Sequence, residues 1–290
     1  MNKVNLLIIG SGRSGTTSLY HYLDHHPEVC FSAIKEIHYF SFDDLNRRGE
    51  KYYHRFFEDL NKKVIASADT YLLIDKQAPD RVKRYNPDMR FMVLLRDPVE
   101  RAYSSFIYSK NFGYENKKYT FHDAFVHEKQ RIQDKDIIIQ NNRGHFYSGL
   151  YHEHLRDWMQ YFPKEHFLLL RTDDLKNHPH DFYVEVCRFL DISYRSPGEV
   201  IKKNVAQSSK IKALQQIMVN RNHPLRKFIR KVTPEVLKRL VLQSNLIHSI
   251  YQLNKAPAQY EPLTEEEKNQ YKTYFKEDLE KLEKQFQIRV

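Results

Sequence analysis

A glycine-containing loop near the start of the chain carries the residues best suited to bind phosphate. Gly10 and Gly15 are five positions apart, and two threonines follow. This is close to the P-loop spacing, in which backbone N–H groups and a helix N-terminus surround phosphate oxygens. A triphosphatase needs lysine after the second glycine; this chain has threonine there, and the cation lies inside the loop. The loop therefore predicts phosphate binding without triphosphate chemistry, the alternative being a glycine turn that binds nothing. The candidate ligands are Arg13, Ser14, Gly15, Thr16 and Thr17.

A second candidate phosphate site follows the apolar run at residues 91–95. Arg96 comes directly after this run, where a guanidinium leaving the end of a strand can donate two hydrogen bonds to phosphate. Pro98 suits the first turn of a helix, and Ser104 lies between about one and two turns further on, within reach of the same oxygens. The alternative is that Arg96 forms an ion pair with Asp97 or Glu100.

Glu36 and His38 are the residues suited to acid–base chemistry. They alternate along a segment that we expect to be extended, so that both side chains point to one side. They could form an acid–base pair or a hydrogen-bonded orienting pair. The alternatives are a surface contact between Glu36 and Lys35, and a half-buried structural histidine at position 38.

Short apolar runs that alternate with helical patterns predict the elements that position these residues. Strands are expected at residues 4–9, 29–32, 91–95 and 167–170, and helices at residues 16–24, 98–109 and 179–190. Strands alternating with helices indicate a parallel sheet, which binds ligands at the carboxyl ends of its strands. We therefore predict an α/β fold with a P-loop-like parallel sheet flanked by helices and a helical C-terminal extension. The 290 residues form one domain, with the α/β core at about 1–195 and a basic extension at about 196–290.

Composition indicates which kinds of partner the chain can bind and in which cellular compartment we expect it. The formal net charge of +10 favours anionic partners, but the basic residues lack nucleic-acid-motif spacing. Cys30 and Cys187 lie in apolar runs without metal-ligand spacing, so we expect buried thiols and no metal. The N-terminal apolar stretch is too short for a signal peptide, and no run reaches the ~20 apolar residues of a spanning helix. We expect a cytoplasmic protein without a transmembrane segment.

Several motifs in this order resemble those of the sulfotransferases that use 3′-phosphoadenosine-5′-phosphosulfate (PAPS), in the style of the bacterial and heparan-sulfate-type branches. The resemblance covers residues 4–190 well and the remainder loosely. It is carried by Ile-Ile-Gly-Ser-Gly-Arg-Ser-Gly-Thr-Thr-Ser-Leu-Tyr at residues 8–20, Lys-Glu-Ile-His-Tyr-Phe at residues 35–40, and Leu-Arg-Asp-Pro-Val-Glu-Arg-Ala-Tyr-Ser at residues 95–104.

The resemblance implies a role for each candidate residue. The first loop would hold the 5′-phosphosulfate, usually with lysine where Arg13 stands; arginine can stabilise charge but does not readily donate a proton. Arg96 and Ser104 would hold the 3′-phosphate, with Lys210 a candidate in a basic loop over that end of the nucleotide; the alternative for this stretch is a solvated charged helix. Glu36 would be the catalytic base, assisted by His38, and no metal would be required. The functional lysine that heparan-sulfate-type relatives carry in a Lys-Thr-Pro or Lys-Ser-Pro triplet has no counterpart near residues 66–71.

The predicted function is sulfuryl transfer from PAPS to a hydroxyl or amine, on a small-molecule or glycan acceptor. The basic C-terminal half and aromatic residues 103, 106, 108, 112 and 114 suit a carbohydrate acceptor, with or without negative charge, because sugars stack on aromatic faces. The same features would serve a lipid or a phenol, and the carbohydrate is the prediction that we prefer. Three alternatives are open: a P-loop-type kinase, a non-enzymatic polyanion-binding protein, and a sulfotransferase fold that binds nucleotide but is inactive.

Overall fold

The computed structural model describes residues 2–134, 136–196 and 261–290, together with residues 207–209, 228, 233 and 255–257. Within this part of the chain, no helix combines the length and the hydrophobicity that a membrane crossing needs.

Five parallel strands in the order β2-β3-β1-β4-β5 form the central sheet. They are β1 (Leu6–Gly10), β2 (Val29–Phe31), β3 (Val64–Ala68), β4 (Arg90–Leu95) and β5 (Phe167–Arg171). All residues of β1, β2 and β3 are buried, as a parallel sheet covered on both faces requires. The predicted fold class is confirmed, and four strands lie within two residues of their predicted ends. Strand β3 was not predicted from the sequence.

Helices cover both faces of the sheet. The α-helices of the described residues are α1 (Thr16–Asp24), α2 (Asp43–Asn46), α3 (Glu50–His54), α4 (Ala78–Tyr85), α5 (Pro98–Phe112), α6 (Phe121–Arg131), α7 (Ile137–Arg143), α8 (Tyr151–Met159), α9 (Thr172–Asn177), α10 (Pro179–Leu190) and α11 (Glu265–Phe286). Side chains alternate along β1, so Leu7 and Ile9 join the cluster under α4 and α8, while Leu6 and Ile8 pack with α1 and α10. A short antiparallel pair, β6 (Gln207–Ser209) and β7 (Lys255–Pro257), lies outside this sheet.

Helix α5 carries the second phosphate motif and has well-defined ends. The Asp97 side chain caps it by accepting a hydrogen bond from Glu100 N, and Pro98 occupies the first turn, where its missing N–H costs nothing. Gly113 ends the helix in the left-handed conformation, at φ 77°. The helix therefore starts close to the carboxyl end of β4.

Helix α11 packs against the α/β core from the far end of the chain. It begins with a capping box between Thr264 and Glu267, and it buries Tyr271, Phe275 and Leu282. The first two of these share a hydrophobic cluster with Val99 and Ala102 of α5. A C-terminal helix is thus present, while the division of the domain near residue 196 stays a prediction.

Candidate active site at the carboxyl edge of the sheet

The loops that follow β1, β3 and β4 meet at one edge of the sheet. The β1 loop is held against β4, because both the backbone N–H and the hydroxyl of Ser11 donate to the Leu94 carbonyl, at 2.9 Å each. The β3 loop lies beside it, because a Cβ on Gly12 would lie 3.7 Å from Thr70 Oγ1. All three groups of predicted site residues therefore belong to one region.

The phosphate loop has the backbone that a phosphate cradle needs. Gly15, at φ 94°, precedes α1, whose first N–H groups have no acceptor within the helix. The Ser14 hydroxyl lies 2.6 Å from the Ser11 hydroxyl, and the Ser14 carbonyl accepts from Thr172 Oγ1 at 2.7 Å. Thr16 is buried and Thr17 is exposed. The hydrogen bonds of Ser14 thus stabilise the loop from inside.

Arg13 extends from this loop across α5. Its Nε donates to Ser104 Oγ at 3.2 Å, and its guanidinium carbon lies 4.8 Å from the centre of the Tyr108 ring. Because a guanidinium over an aromatic face gains a cation–π interaction, Tyr108 holds the loop cation in place. The structure thus brings together Arg13 and Ser104, which the sequence assigned to two different phosphate groups.

Arg96 lies between the phosphate loop and an acidic residue of α5. Its NH1 donates to the Arg13 carbonyl at 3.3 Å, and its NH2 donates to Glu100 Oε2 at 3.0 Å. Its Nε is buried and has no hydrogen-bond partner among the described residues. Of the two ion pairs considered from the sequence, the one with Glu100 exists, whereas Asp97 caps α5 instead. An unpartnered buried donor is costly, so an anion that accepts from Arg96 Nε would be stabilised here.

Glu36 and His38 do lie close together, but the extended backbone expected for them is wrong. Both residues have left-handed conformations, with φ of 62° and 59°. Glu36 accepts from Lys35 Nζ at 2.7 Å, so the alternative of a Lys35 contact is also present. It further accepts hydrogen bonds from Thr70, at 3.1 Å from the backbone N–H and 3.1 Å from the hydroxyl. The β3 loop therefore fixes the Glu36 carboxylate beside the phosphate loop.

Asp69 is a site residue that was not predicted from the sequence. It follows β3 directly, is buried, and places both carboxylate oxygens 3.1 Å from His38 Nδ1. Burial alone would raise the pKa of Asp69, but the facing His38 holds this pKa below its ordinary value. On the other side of the imidazole, the Tyr71 ring lies 4.5 Å away, centre to centre. The Asp69 carboxylate and the Tyr71 ring thus fix the position of the His38 imidazole. The signal that could have identified Asp69 is its place after a strand, which required recognising β3.

Glu36, His38 and Asp69 also satisfy the distance condition for a metal site, since one ligand atom from each lies within 4.8 Å of the others. Their atoms are already engaged with Lys35, Thr70 and one another. His38 and Asp69 thus form a hydrogen-bonded pair, with Glu36 held beside them by Lys35 and Thr70, and the expected independence from metal stays a prediction.

A cleft of about 390 Å³ opens beyond the C-terminal end of α5. Its lining includes Tyr114, Arg131 and Arg143. Arg131 forms an ion pair with buried Glu115 at 2.6 Å, and Arg143 Nε donates to the Tyr114 carbonyl at 2.7 Å. Residue 142, next to Arg143, donates from its side-chain amide to Tyr71 Oη at 3.1 Å. Helix α7 thus contributes Arg143 to the cleft, and its residue 142 contacts Tyr71, whose ring lies beside His38.

Two assignments made from the sequence have different outcomes. Lys210 lies outside the described residues. Five aromatic residues were predicted to suit stacking on an acceptor. For Phe106 and Phe112 this prediction is wrong, because both side chains are buried in the protein interior. Tyr103, Tyr108 and Tyr114 are partly exposed.

Comparison with known proteins gives a consistent result. A family model described as "Sulfotransferase domain" matches residues 3–239. The crystal structure of a sulfotransferase from Alicyclobacillus acidocaldarius has the same fold, with a TM-score of 0.67 and 18% identity, covering 100% of this chain and 98% of that one.

Curated relatives are similar over shorter stretches. Membrane-associated sulfotransferase kil1 of Dictyostelium discoideum is 27% identical over 281 residues (70% of this chain, 59% of that protein). Heparan sulfate glucosamine 3-O-sulfotransferase 5 of Homo sapiens is 28% identical over 191 residues (65% and 54%). Carbohydrate sulfotransferase 15 of Mus musculus is 29% identical over 245 residues (64% and 43%). The chain spans about half the length of the curated relatives it matches.

Proposed function

The chain belongs to the sulfotransferase domain family, and on that premise we propose that it transfers a sulfuryl group from PAPS to a hydroxyl or amine of an acceptor. The observation that carries this proposal is the meeting of two phosphate-binding motifs at one sheet edge. Arg13 of the first motif donates to Ser104 of the second at 3.2 Å. A nucleotide with phosphate at both its 5′ and 3′ positions can contact both motifs at once.

The residues present fit PAPS better than ATP. The helix N-terminus after Gly15 suits the 5′-phosphosulfate, and the buried Nε of Arg96, unpartnered among the described residues, suits the 3′-phosphate. ATP has no 3′-phosphate, and Thr16 stands where a triphosphatase has lysine. These features favour a sulfotransferase over a P-loop-type kinase.

The chemistry is an in-line displacement at sulfur. The acceptor oxygen or nitrogen forms a bond to sulfur while the bond from sulfur to the 5′-phosphate oxygen breaks, and the electron pair of that bond leaves with the phosphate. Arg13 stabilises the charge that accumulates on this oxygen, as cations do in phosphoryl transfer. The acceptor proton goes to a carboxylate oxygen of Glu36, which lies beside the phosphate loop.

His38 is proposed to orient the acceptor beside Glu36. Its Nδ1 faces the Asp69 carboxylate, which holds the imidazole ring beside Glu36 and the phosphate loop. Asp69 fixes the ring in the manner by which a buried carboxylate orients a catalytic histidine.

We favour a carbohydrate acceptor, including anionic ones. The names of two relatives, a heparan sulfate and a carbohydrate sulfotransferase, support this choice. The cleft supports it through Arg143, whose guanidinium can attract a carboxylate or sulfate group, while Arg131 in the same cleft is paired with Glu115. Transfer of labelled sulfate to heparan sulfate, to a neutral oligosaccharide and to a phenol would test it. Labelling of the phenol alone would rule out the carbohydrate assignment.

Calorimetric titration with 3′-phosphoadenosine-5′-phosphate (PAP), ADP and ATP tests the proposal directly. We expect tight binding of PAP only. Equal or tighter binding of ATP would indicate a kinase, and binding of none of them would favour the polyanion-binding alternative. PAP binding without transfer to any acceptor would indicate an inactive sulfotransferase fold. The cytoplasmic location also stays a prediction; the burial of both cysteines is consistent with reduced thiols.

Replacement of Arg96 tests the 3′-phosphate assignment. Arg96→Ala should raise the KM for PAPS by at least about tenfold, because hydrogen bonds to charged groups contribute about 1.5–3 kcal/mol. Arg47→Ala, on the exposed surface of the chain, is the matched control. An unchanged KM for PAPS in Arg96→Ala would contradict the assignment.

A further inference from the structure

Lys268 lies on the packed face of α11, unlike Lys272 of the same helix. It precedes the buried Tyr271 by three positions and the buried Phe275 by seven, so all three share one face. Its side chain is 19% exposed, whereas that of Lys272, one turn further on, is 51% exposed. The packing of α11 against α5 therefore brings this lysine to the candidate active site.

Lys268 lies between two carboxylates: the exposed Glu265 of its own helix, at 2.9 Å, and Glu100 in the candidate active site. Lys268 Nζ donates to Glu100 Oε1 at 3.1 Å, while Glu100 Oε2 accepts from Arg96 NH2 at 3.0 Å. Each oxygen of this carboxylate thus has its own cation. The two cations lower the pKa of Glu100 although partial burial raises it, so the carboxyl group stays ionised at neutral pH.

We propose that Lys268 is a positioning residue of the 3′-phosphate subsite, which it serves by neutralising Glu100. This inference rests on the proposed function. A 3′-phosphate that binds Arg96 and Ser104 approaches a negative carboxylate one helical turn from each of them. Lys268 offsets that repulsion, and it holds Glu100 when the phosphate takes over the Arg96 NH2 hydrogen bond.

A second contact fixes the same geometry. Tyr103 Oη, on α5, donates to the Glu261 carbonyl at 2.8 Å, just before α11 begins. Residues 261–286 are therefore attached to the first turns of α5 by a hydrogen bond, an ion pair and the shared cluster of Phe275 and Val99. These residues follow the stretch that matches the family model, which ends at residue 239.

The test compares two nucleotides that differ only in the 3′-phosphate. The affinities of PAP and 5′-AMP are measured by calorimetry on the full chain, for the wild type and for Lys268→Met. We expect the variant to bind PAP about tenfold more weakly, and 5′-AMP within about twofold of the wild type, since 5′-AMP lacks the phosphate whose charge would approach Glu100. Lys268→Arg should retain PAP affinity within about threefold, because it keeps the charge.

Two further variants separate the role of Lys268 from general effects. Lys272→Met removes the same charge from the exposed side of α11 and should leave both affinities unchanged. In a Glu100→Gln background, Lys268→Met should cost less than about twofold in PAP affinity, because the charge that it neutralises is gone. An undiminished tenfold loss in that background would overturn the action through Glu100.

The outcomes also distinguish this inference from the function on which it rests. A wild type that binds PAP no better than 5′-AMP would overturn the proposed 3′-phosphate subsite itself. A wild type that prefers PAP, with Lys268→Met showing the same preference, would overturn only the role of Lys268. A parallel loss of affinity for both nucleotides would indicate a structural role and would overturn it as well.

Discussion

At the level of single residues, the candidate transfer centre depends on partners supplied by one short loop. Glu36 and His38 take left-handed backbone conformations that residues other than glycine rarely adopt. Such conformations persist where the surrounding contacts fix them, and Thr70 and Asp69 provide those contacts. The loop after β3 therefore determines where the base and the histidine lie.

Glu36→Gln should lower kcat by about 100-fold or more, because general-base catalysis contributes about 10²–10⁴-fold. The affinity for PAP should stay within about twofold, since the hydrogen bonds of Glu36 go to Lys35 and Thr70 rather than to a predicted phosphate ligand. Steady-state kinetics and calorimetry measure the two quantities. The exposed Glu58→Gln serves as the control. A large loss of PAP affinity would instead make Glu36 a binding or structural residue.

Asp69→Asn should lower kcat by about tenfold without changing the affinity for PAP, because His38 loses the charge that orients its ring. Ser41→Ala is the matched control, since its hydroxyl is 3.5 Å from the same carboxylate and its loss should cost less than about twofold. Equal effects of the two substitutions would contradict a specific role for Asp69.

At the level of secondary structure, elements with strong local signals were predictable and the rest were not. Helices α1 and α10 have their predicted bounds, because apolar spacing and a proline mark them. Strand β3 was missed because Val-Ile-Ala-Ser-Ala has only two large apolar side chains and gains its burial from its neighbours in the sheet.

The candidate site residues also divide into those that local sequence predicts and those that it does not. Arg13, Glu36, Arg96 and Ser104 were predicted from motifs of adjacent residues. Asp69 required knowledge of β3. The contact between Glu100 and Lys268 joins residues 168 positions apart, and only the packing of α11 brings them together. A sequence pattern of local spacing contains no information about such a pair.

A substitution at Gly149 tests how closely α11 is packed against the start of α5. A Cβ at this position would lie 2.9 Å from Phe275 Cε1 and 3.1 Å from Pro98 Cβ. Gly149→Ala should therefore destabilise the fold by about 1–3 kcal/mol, as overpacking does. Denaturant unfolding measures this change. Adding Phe275→Leu should recover part of the loss, and strictly additive effects of the two substitutions would contradict direct packing.

At the level of the whole molecule, stability depends on ionisable groups that are buried away from the site. His154 of α8 is buried, and its Nε2 donates to the Tyr147 carbonyl at 2.8 Å. Burial disfavours the charged imidazolium and lowers the pKa of His154 to about 4. The unfolded chain, with a histidine pKa of about 6.5, therefore binds a proton first as the pH falls.

The sign of this difference predicts acid sensitivity. The contribution of neutral His154 to the free energy of unfolding is fully present above about pH 6.5. It decreases by about 3 kcal/mol as the pH approaches 4. His154→Gln, whose amide can still donate to Tyr147, should reduce the loss between pH 7 and pH 4.5 relative to the wild type. Unfolding curves at the two pH values test this. The exposed His25→Gln should behave like the wild type, and an identical pH dependence of all three proteins would contradict the prediction.

The arginine at position 13, stacked on Tyr108, has a consequence for how the protein can be inhibited or regulated. Acetyl groups and other amine-directed reagents modify lysine but not a guanidinium, and no lysine stands between Gly10 and Thr17. Lysine acetylation therefore cannot remove the positive charge of the phosphate loop, whereas a dicarbonyl that reacts with arginine can. Bound PAP should shield Arg13 from such a reagent.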